Sequence, residues 1–427
     1  MKKKKVLISP IEISGYYKNL EIGLNSIGVD AEFVSFSKHH FYNDNNKIDY
    51  VINKLNYLYN IKSNKKYLIF FNKVLIEILK LIFFFKALFK YDVFIFGYGK
   101  SLLFNNYDLF FLRLFRKRII MNVAHGSELR PPYIDGSYQS NDGLIQPSSI
   151  FLKKLTKKIF KKAKFIEKYS HVLIGSPFSS SFFLQKKFIN SFYIGIPFNK
   201  IILKSNYNFE SKRIRILHSP SNQAVKGTNL IRIAIDNLKK KGFDFDYIEI
   251  INQPNEVVLN EIYKSTFIID QVFSDTPLAG LATEAAWYGK PSIVGGYGLN
   301  ELKKFVESDL IPPSAICLPD DIEKKITEFI IDESYRNNIA EKAQFFVNSK
   351  WNIHLVAKKY LDIINDNYNK NWETDPNINN YILGVGQSKK TTIENIKKLV
   401  NQYGIDSLCL TNKKNLEKLF LNLINSI

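Results

Sequence analysis

The sequence predicts an α/β protein with two doubly wound parallel sheets, one in each half of the chain. The first half opens on a short apolar strand at Val6–Ser9, a helix over about 17–26 that Gly28 ends, and a second strand at Ala31–Phe36. This strand–helix–strand order is typical of a parallel sheet with helices packed on it. Because the same order restarts near residue 215, we expect a second domain of the same class.

The second half repeats the pattern after a polar stretch at 199–212, which we interpret as a linker. Arg215–His218 is a predicted strand, and Thr228–Lys240 is a predicted helix that Gly242 ends. A chain of 427 residues is long enough for two domains that each bury a core.

Composition and charge narrow the class of protein. Apolar residues make up 45% of the chain, which excludes a disordered protein, and the net charge of +20 favours an anionic partner such as nucleic acid, acidic lipid or a phosphorylated substrate. Two cysteines without metal spacing, and an N-terminus without a long apolar region, favour the cytoplasm. The apolar run Val74–Phe89 contains Glu77, Lys80 and Lys86, so we expect a helix there and not a membrane span.

A predicted helix at Leu152–Lys168 carries eight lysines opposite an apolar stripe. One interpretation is a helix that packs on the core and exposes a solvated face. The other is a basic face that attaches the protein to an anionic membrane surface, and in that interpretation the protein lies peripherally on the inner face of the cell membrane. Apart from Phe160 and Phe165, no aromatic residues are interleaved with these lysines, so we expect no nucleic-acid partner.

The stretch from Asp270 to Pro291 is the most informative part of the sequence. It predicts a strand end, a loop of small residues, and a helix that begins near Ala279. Small residues let a ligand approach the backbone, and the first amides of a helix bind anions. Glu284, one turn into the helix, is placed to accept hydrogen bonds from sugar hydroxyls. An ordinary strand–loop–helix unit with a solvated glutamate is the alternative interpretation.

This stretch resembles the nucleotide-sugar signature of the group 1 bacterial glycosyltransferases, which are retaining enzymes of the GT-B fold. The resemblance lies in Glu284-Ala285-Ala286 followed by Gly289-Lys290-Pro291. It implies that Glu284 binds the donor ribose and that the diphosphate meets the backbone at Ala279, Gly280, Leu281 and Ala282. Thr276 stands where many members have a second glutamate, and the Asp270-Gln271 opening is similar to a branch that also lacks it.

A second set of candidate donor-binding residues lies between the first strand and the first helix of the second domain, where doubly wound folds bind ligands. Lys226 and Gly227 resemble the phosphate-binding element of the same family, with Lys226 placed to pair with a diphosphate. Ser219 and Asn222 can add neutral hydrogen bonds. Ser221 occupies the position of the family's arginine, and a solvated lysine before a glycine turn is the alternative interpretation.

A third candidate is His125, which follows a predicted strand and precedes Gly126. It resembles the family's histidine that faces the donor sugar, and together with Glu284 it is the predicted catalytic pair; a structural histidine is the alternative. The loop at Gly15 is predicted to line the acceptor side, although a turn glycine explains it as well.

Two patterns that suggest metal sites are set aside. Asp244 and Asp246 have the spacing of metal-dependent GT-A enzymes, but they open a strand; the pair His39-His40 has no carboxylate or cysteine at ligand spacing. The resemblance implies an enzyme that needs no metal and no cofactor.

Taken together, the resemblance implies two Rossmann-like domains that face each other across a cleft, with a helix that crosses back. The predicted boundaries are an acceptor domain at 1–200 to which helix 351–370 returns, a nucleotide-sugar domain at 205–350, and an extension of unknown role at 377–427. We expect a hexosyltransferase-type enzyme that moves a sugar from a nucleotide-sugar to a glycan or lipid-linked acceptor in polysaccharide biosynthesis. The alternative is a non-catalytic protein of the same shape that binds a glycan or a partner, and Thr276 and Ser221 support it.

Overall fold

The computed structural model describes residues 4–36, 50–60, 66–199 and 213–425. His39-His40 and most of the predicted linker therefore lie outside the described residues. The strands within these ranges are β1 (Lys5–Ser9), β2 (Asp30–Phe33), β3 (Val93–Phe96), β4 (Arg118–Val123), β5 (Val172–Gly175), β6 (Phe188–Asn190), β7 (Arg215–His218), β8 (Asp246–Glu249), β9 (Phe267–Gln271), β10 (Ser292–Gly295), β11 (Ala315–Cys317) and β12 (Glu373–Thr374). The α-helices are α1 (Tyr16–Ser26), α2 (Tyr50–Asn60), α3 (Lys66–Lys90), α4 (Asp108–Leu114), α5 (Ser149–Tyr169), α6 (Ser191–Ile194), α7 (Gln223–Lys226), α8 (Thr228–Lys240), α9 (Asn255–Lys264), α10 (Gly280–Trp287), α11 (Ile322–Ile331), α12 (Glu333–Lys350), α13 (Ile353–Asn365), α14 (Lys389–Tyr403) and α15 (Lys414–Asn425).

The first domain is built on a seven-stranded sheet in the order β12-β6-β5-β4-β3-β1-β2. Its strands run parallel except β12, which pairs antiparallel with β6 at the edge. One face of the sheet packs against α3, α4, α5, α14 and α15, and the other packs against α1 and α13. Both faces are covered, as a parallel sheet requires.

The second domain is built on a five-stranded, wholly parallel sheet in the order β11-β10-β9-β7-β8. Its two faces form separate cores, one against α9, α10 and α12 and the other against α8 and α11. The prediction of two doubly wound parallel sheets is confirmed.

The helix α13 returns the chain to the first domain. Asn352 caps it, since its side chain accepts from the Leu355 amide, and Asp366 ends it in the left-handed conformation at φ 60°. It packs closely on α1 at Gly23, where a β-carbon would lie 2.7 Å from the Ile353 carbonyl oxygen. The helix is shorter than the predicted range 351–370 because both of its caps, Asn352 and Asp366, lie inside that range.

The chain beyond residue 375 packs on the first domain and also contacts the second. The Gly136 amide donates to the Val385 carbonyl at 2.8 Å, and the Gly386 amide donates to the Phe273 carbonyl of the second domain at 3.2 Å. We name residues 379–388 the strap because they cross from one domain to the other. A β-carbon at Gly384 would lie 1.4 Å from the Ile134 carbonyl oxygen, so the strap requires glycine at that position.

Candidate functional site

A cleft of about 260 Å³ lies between the two domains. The carboxyl ends of parallel strands meet at one edge of each sheet, and these two edges face each other. The first domain contributes Ile13, Ser14, Tyr16, Asn122, Ala124, His125, Gly126, Ser176, Ser191, Phe192, Gly195, Ile196 and Phe198. The facing residues are Asp275, Thr276, Leu278, Ala279, Gly280, Thr283 and Glu284, together with Trp351 next to the crossing helix.

The N-terminal end of α10 opens into this cleft. Ala279 occupies the N-cap position without a side-chain cap, and its carbonyl accepts both the amide and the hydroxyl of Thr283 at 2.8 Å. Across the cleft lies Ser14, whose Oγ would be 3.5 Å from a β-carbon at Gly280. The small residues therefore let the opposite domain approach the first helical amides, where partial positive charge favours an anion. Leu281 and Ala282 turn inward, with Ala282 fully buried.

Glu284 lines the cleft with only 8% of its surface exposed. The Asn255 side chain donates to its Oε1 at 2.9 Å, which fixes the orientation of the carboxylate. Tyr288 lies one turn further along, and its own burial, followed by the charge of Glu284, raises its pKa to about 12. Glu284 is thus a positioned carboxylate at the cleft wall and not a solvated helix residue.

His125 enters the cleft from the end of β4. Its Nε2 lies 2.6 Å from the Tyr17 hydroxyl, and its backbone amide donates to Glu128 at 2.7 Å. Burial lowers the pKa of His125 to about 4 and raises that of Tyr17 well above its ordinary value. Both groups are therefore uncharged at neutral pH, and a single proton lies between them. The sequence offers no signal for Tyr17 as the partner of this histidine.

The floor of the cleft is a buried hydroxyl network centred on the crossing helix. The Tyr360 hydroxyl lies 3.0 Å from the Tyr16 hydroxyl and accepts from the Asn122 side chain at 3.3 Å. Tyr16 also donates to the Gly195 carbonyl at 3.3 Å. α13 therefore helps to position the loop at Gly15, whose left-handed φ of 75° lets it cap α1 beside the cleft residues Ser14 and Tyr16.

A buried ion pair joins the two domains at the rim of the cleft. Arg130 Nη2 lies 2.6 Å from Asp275 Oδ2 of the second domain, and Nη1 lies 3.2 Å from Asp135. The Arg130 side chain is 4% exposed. The flanking carboxylates outweigh burial and hold the pKa of Arg130 above its ordinary value. Asp275 lies in the stretch Asp270–Pro291 and Arg130 lies five residues after His125, yet nothing in the sequence pairs them.

The other predicted donor-binding residues lie behind the cleft wall and do not line it. Lys226 Nζ donates to Gln271 Oε1 at 2.8 Å and lies 3.3 Å from Asp270 Oδ1. Ser219 donates to the Ile250 carbonyl, and Asn222 caps α7 through the Val225 amide. Lys226 thus ends the short helix α7, directly before Gly227.

The position of Gly227 requires glycine for structural reasons. Its φ is +71°, in the left-handed region that favours glycine, and it joins α7 to α8. A β-carbon there would lie 2.8 Å from the β-carbon of Val272. The close approach lets α8 begin directly behind the loop that leads to α10.

Within the described parts of the chain, no three histidine, cysteine or carboxylate side chains come together as a metal-ligand set. Asp244 and Asp246 both pair with Arg213 at the strand edge. No helix in the described ranges is long and apolar enough to cross a bilayer.

No family model matches the chain, and no curated protein matches its sequence. Solved structures do resemble it. Sucrose-phosphate synthase from Thermosynechococcus elongatus is 11% identical with a TM-score of 0.55, and the match covers 86% of this chain and 99% of that one. HepE from Anabaena, in complex with UDP and glucose, is 10% identical with a TM-score of 0.51, and the match covers 85% of this chain and all (100%) of that one. Such low identity shows the fold alone: the predicted fold class is confirmed, and the chain has the GT-B fold of two Rossmann-like domains facing across a cleft.

Proposed function

We propose that the protein is a retaining glycosyltransferase of the hexosyltransferase type, which uses a nucleotide-diphosphate sugar as donor. The observation that carries this proposal is the convergence in one cleft of an open helix N-terminus, a positioned glutamate and a neutral histidine from the opposite domain. HepE, of the same fold, has a structure in complex with UDP and glucose. UDP is therefore the first donor nucleotide to test.

The donor is expected to bind along the wall formed by the second domain. Its diphosphate meets the amides of Gly280, Leu281 and Ala282, and its ribose hydroxyls donate to Glu284. As the bond to the sugar breaks, charge grows on the leaving diphosphate, and prearranged amides stabilise it without reorganisation. Glu284 is the other member of the predicted catalytic pair. Because it binds the ribose equally before and after this step, in this proposal it sets the affinity for the donor and does not lower the barrier.

His125 is expected to contact the donor sugar. A neutral imidazole in the cleft can hydrogen-bond a sugar hydroxyl or stabilise a developing oxocarbenium ion without first losing a proton. Tyr17 orients the ring through the 2.6 Å contact. No nucleophilic side chain is invoked, because in this proposal the acceptor hydroxyl attacks the anomeric carbon on the face from which the diphosphate leaves. The bond from the anomeric carbon to the diphosphate oxygen breaks, and the departing oxygen takes the proton of the acceptor hydroxyl.

Lys226 is expected to reach the diphosphate only after a change of partner. Its ammonium group now lies between Asp270 and Gln271. Donor phosphates that approach along the α7–α8 turn compete with Asp270 for the Lys226 ammonium group. Because the ammonium group exchanges one anionic partner for another, the exchange costs little electrostatic free energy. Ser219 and Asn222 would then contribute from the same turn.

The proposed acceptor is a glycan or a lipid-linked saccharide, which enters beside the Gly15 loop. The exposed lysines of α5 attach the first domain to an anionic membrane, and this favours a cytoplasmic protein on the inner face of the cell membrane in surface polysaccharide synthesis. Lys162 is an exception among the eight lysines of α5: burial lowers its pKa to about 8, and Gly99 lies beside its ammonium group.

A panel of nucleotide sugars tests the proposal by thermal shift and by donor hydrolysis. A ligand that binds only the folded protein stabilises it by about 2.7 kcal/mol at 100 times its Kd. Stabilisation by one donor, together with slow release of its sugar, is the expected result. A panel in which no donor binds contradicts the proposal.

The alternative is a GT-B-shaped protein that binds a glycan or a partner without transferring a sugar. The pairing of Lys226 with Asp270 favours it, because the cation of the predicted phosphate site already has an anionic partner. Binding of a glycan without binding of any nucleotide in the same panel is the outcome that supports this alternative.

A further inference from the structure

The long helix α3 carries two apolar stripes. The inner stripe, Ile76, Leu79, Phe83 and Ala87, is buried in the core of the first domain. The outer stripe faces solvent, with exposed fractions of 62% at Phe71, 42% at Val74, 50% at Ile78, 43% at Ile82, 51% at Phe85 and 80% at Phe89. At 3.6 residues per turn the two stripes lie on roughly opposite sides of the helix. A helix that packs on a soluble core needs only the first stripe.

The outer stripe continues onto the segment around α4. Phe104, Tyr107, Leu114 and Phe115 are each at least half exposed, at 63%, 56%, 64% and 50%. The two helices touch through Phe84 and Phe111, whose ring centres are 6.3 Å apart. The exposed apolar surface therefore spans two neighbouring helices, and an apolar surface of this extent marks an interaction site more often than chance exposure.

The same surface borders the basic helix α5. Ring contacts join them: Tyr107 lies 5.9 Å from Phe165, and Phe110 lies 5.8 Å from Tyr169. The lysine face of α5 consists of Lys154, Lys157, Lys158, Lys161 and Lys164, which are all exposed. The only acidic residue of α5, Glu167, is buried and accepts from the amides of Gln185 and Lys186.

Further positive charge lies within the apolar region itself. Arg113 and Arg116 are exposed between Phe111 and Lys117, beside Leu114 and Phe115. Aromatic and aliphatic side chains flanked by arginine and lysine are the composition of an interfacial membrane-binding surface. The apolar part enters the lipid, and the basic part meets anionic headgroups.

We propose that the outer stripe of α3 and the apolar residues around α4 insert into the interface of an anionic lipid bilayer, while the lysine face of α5 lies on its headgroups. This inference extends the membrane attachment in the proposed function, from electrostatic contact to insertion. It does not depend on sugar transfer, since the surface lies on the helical layer of the first domain and not in the cleft.

A bilayer fits this surface better than a second copy of the chain. A symmetric dimer built on α3 and α4 brings the lysine faces of two copies close together, and like charges repel. Anionic lipid neutralises the same lysines, each worth roughly a fivefold change in partitioning near the surface.

Vesicle co-sedimentation of the full chain tests the proposal. The apolar variant replaces Phe71, Phe89, Phe104 and Leu114 by serine, and the basic variant replaces Lys154, Lys157, Lys158 and Lys161 by glutamine. The matched control replaces Phe345 and Ile331 of the second domain by serine, since they are comparably exposed at 74% and 68%. Vesicles of phosphatidylcholine alone and with phosphatidylglycerol are compared at 0.1 M and 1 M salt, where the Debye length falls from ~10 Å to ~3 Å.

Wild type is expected to bind anionic vesicles at low salt and to keep part of that binding at high salt, because inserted side chains are not screened. Loss of one inserted apolar side chain is expected to weaken vesicle binding about tenfold. The apolar variant lacks four of them, so it is expected to bind at least tenfold more weakly and to lose the fraction of binding that resists salt. The basic variant is expected to lose its preference for anionic vesicles, and the control variant to bind like wild type.

Two further measurements make the result unambiguous. Tryptophan fluorescence of Phe89→Trp is expected to be quenched by lipids brominated in their acyl chains. Calorimetry with UDP in every variant separates this surface from the cleft: unchanged UDP binding with lost vesicle binding supports insertion, whatever the outcome for sugar transfer. Wild-type binding by the apolar variant overturns the proposal, as does a wild-type dimer that becomes a monomer in that variant by light scattering.

Discussion

Replacement of Glu284 by alanine is the sharpest test of the donor site. The carboxylate is 8% exposed, held by Asn255 at 2.9 Å, and placed at the wall of the cleft. If it binds the ribose hydroxyls, Glu284→Ala removes hydrogen bonds to a charged acceptor, which are worth about 1–3 kcal/mol in all. The Kd of UDP is then expected to rise about 5- to 150-fold, measured by isothermal titration calorimetry.

A ligand without ribose supplies the matched control. Pyrophosphate is expected to bind the α10 amides with the same affinity in wild type and in Glu284→Ala. The variant Asn255→Ala keeps the carboxylate but frees its orientation, so a smaller loss of about 0.5–1.5 kcal/mol is expected for UDP. Thermal unfolding without ligand shows whether each variant remains folded.

The reasoning is refuted if a folded Glu284→Ala variant binds UDP as wild type does. An equal loss of UDP and pyrophosphate binding contradicts it as well. Loss of a glutamate with a purely structural role would disturb the whole N-terminal end of α10 and weaken the binding of both ligands.

Three other predictions follow from the described contacts. Activity is expected to persist in excess EDTA, and loss of turnover that manganese restores would assign a metal role, with Asp244 and Asp246 as the first ligands to test. Asp275→Asn leaves Arg130 with a single carboxylate partner and is expected to lower the free energy of unfolding by about 1–3 kcal/mol in urea titration, whereas an unchanged midpoint contradicts a stabilising bridge. Burial lowers the pKa of His218 to about 4 from an ordinary 6.5, so the unfolded chain binds more protons than the folded one between these values. The free energy of unfolding therefore falls as the pH drops through this window, by up to about 3 kcal/mol. His218→Gln is expected to flatten that part of the dependence of stability on pH, and an unchanged dependence in the variant contradicts the prediction.

Regular elements of this fold could be predicted closely from the sequence. The strand Arg215–His218 and the helix Thr228–Lys240 have the predicted bounds. Each is a continuous or periodic apolar segment, and Gly227 and Gly242 mark the two ends of the helix. Such signals are local, so the ends of these elements depend little on tertiary contacts.

Part of the candidate site could also be predicted from the sequence. Ala279, Gly280, Glu284 and His125 line one cleft because each follows a strand of a parallel sheet, and the carboxyl ends of such strands meet. Their roles stay predictions, since what they bind is a matter for experiment.

Other parts depend on contacts between distant residues. Arg130 and Asp275 are 145 positions apart, and their pairing follows from how the two domains face each other. Lys226 pairs with Asp270 because β9 ends beside α7. The sequence pattern of a lysine before a glycine does not indicate whether such an acidic partner is present. Side-chain partners across a domain boundary have no periodic signature.

The C-terminal extension has consequences for the order of folding during synthesis. Its residues Leu408, Leu416 and Phe420 belong to the same apolar core as Tyr133 and the apolar residues on one face of the first sheet. Ribosomes add roughly 5–20 residues per second, so about 10–45 s separate the synthesis of β6 from that of Phe420. Until then, the nascent first domain lacks one wall of its core and exposes apolar surface. The second domain has all of its strands and helices well before that point, so the domain that is made first is expected to be the last to become stable.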